Sequence, residues 1–270
     1  MRWPPWSSSP SSEPPRRQNE YDKKKKPITW SDHLTTSPFS VAELTSPPNL
    51  FAVAVITTST LLLARLWRLH LRRVPGATSI QPEFFRKRSF FGRVTSVGDG
   101  DNFRLFHTPG GRWMGWGWVP GRKVPTKRDE LKDRTIHIRL AGVDAPEQSH
   151  FGRPAQPYSA EALAWLRSYI LHRRVRAYVY KRDQYERVVA TVYVRRGLLR
   201  RDVGLQMLKR GWATVYEAKS GAEFGALEDR YRRAEWWARK RRSGMWKSGG
   251  GESPREYKTR YGVGGGGGDG

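Results

Sequence analysis

Three short stretches of the chain crowd acidic and basic side chains against apolar runs. Val97-Gly-Asp-Gly-Asp-Asn puts Asp99 and Asp101 into a turn. Ile138-Arg-Leu-Ala-Gly-Val-Asp-Ala-Pro-Glu sets Arg139 at an alternate position of an apolar strand, with Asp144 and Glu147 flanking Ala145-Pro146, where the proline pins the turn. Asp183-Gln-Tyr-Glu-Arg-Val-Val-Ala brings Tyr185 and Arg187 to the start of another strand. The first stretch alone is weak, because Asp and Gly are ordinary turn residues. The second is stronger: charged groups beside a buried strand are costly unless a metal or an anionic ligand engages them. Two carboxylates can hold a metal, a third can handle water, and two arginines can grip a phosphate. The competing reading pairs Arg139 and Arg187 with Asp144 or Glu147 and needs no ligand.

The elements that must position these residues follow from periodicity. Phe90 to Val97, Asn102 to His107 and Arg134 to Val143 read as strands, with Ile136, Ile138 and Leu140 alternating with His137 and Arg139. Ser159 to Leu171 reads as a helix with Leu163, Leu166 and Ile170 on one face. Val175 to Lys181 and Val188 to Val194 are two more strands. Asp202 can cap a helix that stops at Gly211, and Phe224, Leu227, Tyr231, Ala234 and Ala238 mark a terminal helix ending near Gly244. Three strands, a helix, two strands and two helices predict an α+β architecture: a five-stranded OB-fold-like β-barrel with about three packed helices. Residues 109–133, rich in Gly, Trp and basic residues, read as a long insertion that is either functional or disordered.

Composition narrows the chemistry. The 270 residues carry 50 Lys+Arg against 25 Asp+Glu, a formal charge of +25, of which +17 lies in residues 91–248. Such an excess points to a polyanionic partner, nucleic acid first and an anionic membrane surface second. The absence of cysteine excludes a disulfide framework, thiolate metal sites and a cysteine nucleophile. The six histidines have no metal-ligand spacing, which argues against zinc. The twelve tryptophans could stack bases, but core packing or bilayer contact explains each equally well.

Outside the barrel, residues 1–48 read as disordered, being rich in Pro and Ser around the block Lys23 to Lys26. Glu13, Glu20 and Asp22 argue against a mitochondrial presequence. Leu50 to Ala64 is apolar but only ~22 Å long as a helix; with Leu66, Trp67, Leu69 and Leu71 it becomes long enough for a single transmembrane helix or membrane anchor over residues 49–71. Arg65, Arg68, Arg72 and Arg73 follow it, whereas Trp30 to Asn49 contain no Lys or Arg, which puts the C-terminal side on the cytoplasm-equivalent face. Residues 249–270 read as a Gly-rich flexible tail. The barrel is expected to fold without residues 1–85.

Taken in order, Asp99-Gly100-Asp101, Arg139 to Glu147 (RLAGVDAPE), Tyr185-x-Arg187 and Gly211-Trp-Ala resemble the staphylococcal nuclease (thermonuclease) family over residues 90–248. The apolar span, the Trp/Gly insertion and the stretch Phe151 to Leu163 resemble its fungal membrane-anchored mitochondrial endonuclease branch. Asn102 and Glu186 depart from the family's usual Thr and Gly. The resemblance implies a calcium-dependent phosphodiesterase acting on DNA or RNA, single-pass in a mitochondrial membrane. By the same resemblance, Asp101, Asp144 and the Ala145 carbonyl would hold Ca²⁺. Glu147 would activate water, Arg139 and Arg187 would clamp the phosphate, and Tyr185 would bind it. No protein partner is implied. Two non-enzymatic alternatives are a nucleic-acid-binding module on a nuclease-like barrel and a membrane-surface adaptor; keeping all five charged site residues favours the enzyme.

Overall fold

The computed structural model describes residues 46–149, 154–217, 223–248 and 253–260. The chain divides into two compact units, 1–61 and 62–270. Most of the first 48 residues, part of the Phe151 to Leu163 stretch and most of the Gly-rich tail lie outside the described residues.

Helix α1 (Pro47–Leu66) starts at a proline, which costs nothing at a first helical turn, and continues as a π-helical turn over Trp67–Leu71. None of its residues is buried. The Pro47–Leu71 stretch, 25 residues with an 18-residue window of mean hydropathy 1.8, is long and apolar enough to cross a membrane, at ~37 Å if fully helical. Thr60 donates its hydroxyl to the Ile56 carbonyl at 2.8 Å, so this polar group is satisfied within the helix.

The second unit is built on strands β1 (Ser89–Val97), β2 (Asn102–His107), β3 (Ile136–Leu140), β5 (Arg174–Arg182) and β6 (Val188–Arg196). Their order is β3-β2-β1-β5-β6, and a parallel pairing of β3 with β6, through Ile138↔Val188 and Arg139↔Val189, closes the barrel. The other pairings are antiparallel, with bulges at Val94/Ser96 and Val179/Lys181 that help the sheet curl. Inward positions are apolar: Val94, Phe103, Leu105, Ile136, Ile138, Val188 and Val192 are fully buried. β7 (Leu199–Asp202) extends the sheet beyond β6, and a short antiparallel pair joins β4 (Val143–Asp144) to β8 (Thr214–Val215).

After a single helical turn, α2 (Arg128–Leu131), helices pack on the barrel. α3 (Ser159–Ile170) buries Ala162, Leu166 and Ile170. α4 (Val203–Arg210) begins where Asp202 accepts from Leu205 N at 3.1 Å, a cap worth about 1 kcal/mol. It ends at Gly211, whose φ of 69° suits glycine. Tyr231 on α5 (Glu228–Lys240) donates its hydroxyl to the same Asp202 at 2.9 Å, tying the two helices at one carboxylate. Burial raises Asp202 above the usual carboxylate range, against the pull of its bonds from Leu205 and Tyr231.

Three segments differ from the sequence expectation. Residues 72–88, which show no periodic pattern, run over the barrel as an extended strap with two 3₁₀ turns and bury Val74, Ile80 and Phe84 in the main core. Val74 N donates to His107 Nδ1 at 2.9 Å, Arg86 N to the Val179 carbonyl at 2.7 Å, and Arg88 to the Leu69 carbonyl. The core therefore does not survive removal of residues 1–85 intact: that cut takes three of its apolar side chains. The 109–133 insertion folds on itself around five glycines at positive φ. Trp116 packs edge-on against Phe106, and Trp118 Nε1 donates to the Arg112 carbonyl at 2.9 Å. In the tail, α6 (Pro254–Arg260) buries Tyr257, whose hydroxyl donates to the Pro154 carbonyl at 2.5 Å. An aromatic anchor is what lets a helix form within this Gly-rich stretch.

Candidate active site

Asp101 ends the turn between β1 and β2, and Asp144 ends β4. Two local features bring them together. The Asp101 carbonyl accepts from Leu140 N at 2.9 Å, which docks the turn on β3. Gly100 lies so close to Ala145 that a Cβ on it would come within 2.6 Å of the alanine's own Cβ. A side chain there would wedge the two acidic turns apart, so the glycine is required by close approach.

Both carboxylates are buried, at 6% and 4% exposure, and both meet the Arg139 guanidinium. Nη2 lies 3.2 Å from Asp101 Oδ2 and 3.1 Å from Asp144 Oδ1. Arg139 reaches them because β2 pairs with β3 in a register that sets Asn102 opposite Arg139. Burial pulls Arg139 downward, but the charges of Asp101 and Asp144 outweigh it and hold the guanidinium above its ordinary value. Its other side is covered by Tyr216, whose ring centroid is 5.1 Å away. The ligand-free alternative for Arg139 is thus realised with Asp144, and extended to Asp101.

Asp144 is fixed from far along the chain. β4 pairs with β8 through Asp144↔Thr214, and Thr214 Oγ1 donates to the Asp144 carbonyl at 3.3 Å. Ala145 is buried beside it. Glu147 is half-buried, and its backbone is bracketed by Gln156: Glu147 N donates to Gln156 Oε1 at 3.2 Å, and Gln156 N to the Glu147 carbonyl at 2.9 Å.

Arg187 does not pair with Asp144 or Glu147 as the alternative reading had it. Its Nε donates to Asp183 Oδ2 at 2.8 Å, and Asp183 Oδ1 also accepts from the backbone N–H of Tyr185 and Arg187. One carboxylate thereby shapes the whole loop. Glu186, where the family commonly has glycine, takes a left-handed φ of 58°. Tyr185 is 64% exposed, with the Arg187 guanidinium 5.1 Å from its ring centroid. The parallel β3–β6 register brings this loop beside His137. Burial pushes the imidazole down to about 4, with the charges of Arg104 and Arg187 adding to the effect and those of Asp183 and Asp101 opposing it. His137 Nε2 also meets Asn102 Oδ1 at 3.2 Å. Arg187 and Asp101 therefore act on one imidazole from two sides.

Sequence reasoning named Asp101, Arg139, Asp144, Ala145, Glu147, Tyr185 and Arg187. It did not assign Asp183, which orients Arg187; Tyr216, which covers Arg139; or Gln156 and Thr214, which hold the Glu147 and Asp144 backbones. Asp183 had a signal, an Asp four residues before an Arg in a turn. The others have none nearby.

As a cation site, the pair offers two buried carboxylates against one guanidinium, with carbonyl oxygens close by. Oxygen donors and residual negative charge suit a hard divalent cation such as Ca²⁺. Among the described residues no third His, Asp or Glu joins them to complete a set of three side-chain ligands. The remaining ligands would be carbonyls and water, which calcium accepts.

The staphylococcal nuclease homologue family matches residues 137–248, from β3 to just beyond α5. Relatives match far more of the chain. The probable endonuclease lcl3 of Sclerotinia sclerotiorum is 58% identical over 247 residues, covering 91% of this chain and 93% of its own. That of Botryotinia fuckeliana is 56% identical over 262 residues (96% and 97%). That of Penicillium rubens is 53% identical over 279 residues (98% and 93%). With the family match over residues 137–248 and identity above one half along nearly the full length of both partners, the chain belongs to the staphylococcal nuclease homologue family.

Proposed function

We propose that this protein is a membrane-anchored, calcium-dependent endonuclease that hydrolyses phosphodiester bonds of DNA or RNA. The observation that carries the reading is the buried convergence of Asp101 and Asp144 on Arg139, two acids and one base gathered at adjoining turns and strand ends. The names of the relatives, probable endonucleases, agree with it.

Asp101, Asp144 and the Ala145 carbonyl would hold Ca²⁺. Bound there, the ion would supply positive charge to a phosphate oxygen. Arg139 and Arg187 grip the other phosphate oxygens; their planar forks match the developing dianionic charge better than a point charge does. Asp183 and Tyr216 keep the two guanidinium groups aimed. Tyr185, open to solvent, meets the incoming phosphate. Glu147 takes the proton from the attacking water as its oxygen bonds to phosphorus; the bond from phosphorus to the leaving oxygen breaks, and that oxygen leaves with a proton from solvent.

The exposed apolar helix α1 anchors the chain, and the basic residues after it set the barrel on the cytoplasm-equivalent side. By family resemblance the membrane is mitochondrial. The test is cleavage of single- and double-stranded DNA and RNA by the detergent-solubilised full chain, with and without Ca²⁺. Metal-dependent internal cleavage is expected, and Glu147→Gln should slow it by on the order of 10²–10⁴ with Ca²⁺ affinity kept. Strand binding without cleavage under any metal would favour the binding-module alternative. Wild-type turnover in Glu147→Gln would remove that residue from the mechanism.

A further inference from the structure

The outward positions of β1, β5, β6 and β7 form a face that the candidate active site does not use. Register sets Arg93 of β1 opposite Arg174 of β5, and Arg195 of β6 opposite Arg200 of β7. The two pairs fall in one row across the four strands, and beside that row run Phe91, Arg176 and Tyr193. The next row is Ser89, Tyr178 and Thr191. The face is recessed, with one groove of about 870 Å³ that includes Arg176, Tyr178, Tyr193 and Arg200, and a second of about 410 Å³ between Arg93, Arg174 and Arg195.

Like charges directly opposite on a sheet destabilise it, yet two such pairs stand side by side here. Among the described residues no carboxylate lies within 4 Å of Arg93, Arg174, Arg176, Arg195 or Arg200. The one acid in the rows, Asp202, is buried and already accepts from Leu205 N and Tyr231. Glu223, near the groove's rim, serves Arg86 and Lys181. Burial and the neighbouring charges of Arg112 and Arg93 hold Arg174 below its usual value. The rings lie among the guanidinium groups: Arg176 is 5.4 Å from the Phe91 centroid and Arg200 is 4.8 Å from that of Tyr193. Alternating cationic forks and half-buried rings are what a single nucleic-acid strand requires, phosphates for the first and bases for the second. A bilayer surface is flat and would favour protruding apolar side chains over a recess. β5 runs from Arg174 to Arg182, ~30 Å, and ends at the Asp183–Arg187 loop, so the face leads to the active site.

We propose that this face is a second nucleic-acid-binding site, a track that takes a single strand of four or more nucleotides and delivers it to the catalytic end of the barrel. It is distinct from the β2–β3 side on which OB-type barrels bind oligonucleotides. The proposal rests on the nuclease reading for its consequence in turnover, but not for its binding test.

The test uses the detergent-solubilised full chain in EDTA, which prevents turnover, and a fluorescent twelve-nucleotide strand. Replacing Arg174, Arg195 and Arg200 together by Gln should weaken binding at least tenfold. It should also reduce the slope of log affinity against log salt by about 2, three phosphate contacts at ~0.7 each. Tyr193→Ala should weaken binding about 5-fold or more, and Tyr193→Phe should restore it. Hydrolysis of a small nitrophenyl phosphodiester, too short to reach the face, reads the active site separately and should keep its wild-type rate in the triple variant. Unchanged strand affinity and salt slope would overturn the proposal. So would loss of binding to phosphatidylserine vesicles with strand affinity retained, which would make the face a membrane contact. Equal losses on the small and long substrates would mark a general structural defect and also overturn it. If the wild-type chain cleaves nothing under any metal, the nuclease reading fails while the EDTA measurement still decides the track.

Discussion

Arginine and lysine part company where two charges must be met by one planar group. Arg139 faces Asp101 and Asp144 through the same nitrogen, and Arg187 is held by Asp183 along its Nε edge. Arg139→Lys and Arg187→Lys keep the charge but lose the fork, so each should lower kcat/KM by at least about 10²-fold, with the folded state intact by circular dichroism. Near-normal cleavage in either variant would reduce that arginine to generic charge. Asp183→Asn should slow turnover less, by roughly tenfold, because Arg187 survives but is no longer aimed. An Asp183→Asn variant as slow as Arg187→Lys would mean that Asp183 has a direct role. The acids and arginines were legible in the sequence because each lies in a compact motif at a strand boundary. Asp183, Gln156, Thr214 and Tyr216 were not assigned, since what each one does is fixed by a partner chosen in three dimensions; Thr214 meets Asp144 across 70 residues of chain.

At the scale of elements, alternation and capping were enough to read the barrel strands, the Asp202 cap and the Gly211 stop. The strap over residues 72–88 was not readable, because its buried residues Val74, Ile80 and Phe84 follow neither a helical nor a strand period and its hydrogen bonds go to elements far along the chain. A chain beginning at Arg72 should fold and bind strands like the full protein, whereas one beginning at Arg86 should lose several kcal/mol, with roughly 1.5–3 for each large apolar side chain removed. Urea denaturation of the two would decide, and equal midpoints would make the strap dispensable. The strap also carries a pH dependence. His107 accepts from Val74 N and so must be neutral in the fold; burial first, then the charge of Arg73, pushes it down to about 4. Its unfolded value is about 6.5. Between these values the unfolded chain binds the proton and the folded one does not. The contribution is therefore complete above about pH 6.5 and declines as the pH falls toward 4, by at most about 3 kcal/mol. Urea midpoints should drop over this window, and the drop should be smaller in His107→Gln. An unchanged slope would assign the acid sensitivity elsewhere.

For the whole molecule, the exposed α1 makes the full chain a membrane protein in our reading. It should stay with membranes through carbonate extraction while the chain beginning at Arg72 is released, and protease added from the cytoplasm-equivalent side should reach the barrel. Release of the full chain by carbonate would reduce α1 to a peripheral contact; protection of the barrel would reverse the orientation. One further consequence comes from the smallest sheet. The backbone that carries Asp144 is held by β8, whose residues Thr214 and Val215 are made long after it. At 5–20 residues per second, the ribosome needs roughly 4–14 s to supply those 70 residues. Through that interval Asp101 and Arg139 can already be paired by β2 and β3, but the backbone of Asp144 lacks its β8 partner, and Arg187 arrives only with β6. The centre thus assembles after the rest of the barrel has been made: the strands close first, and the backbone that carries Asp144 is pinned only when β8 follows them.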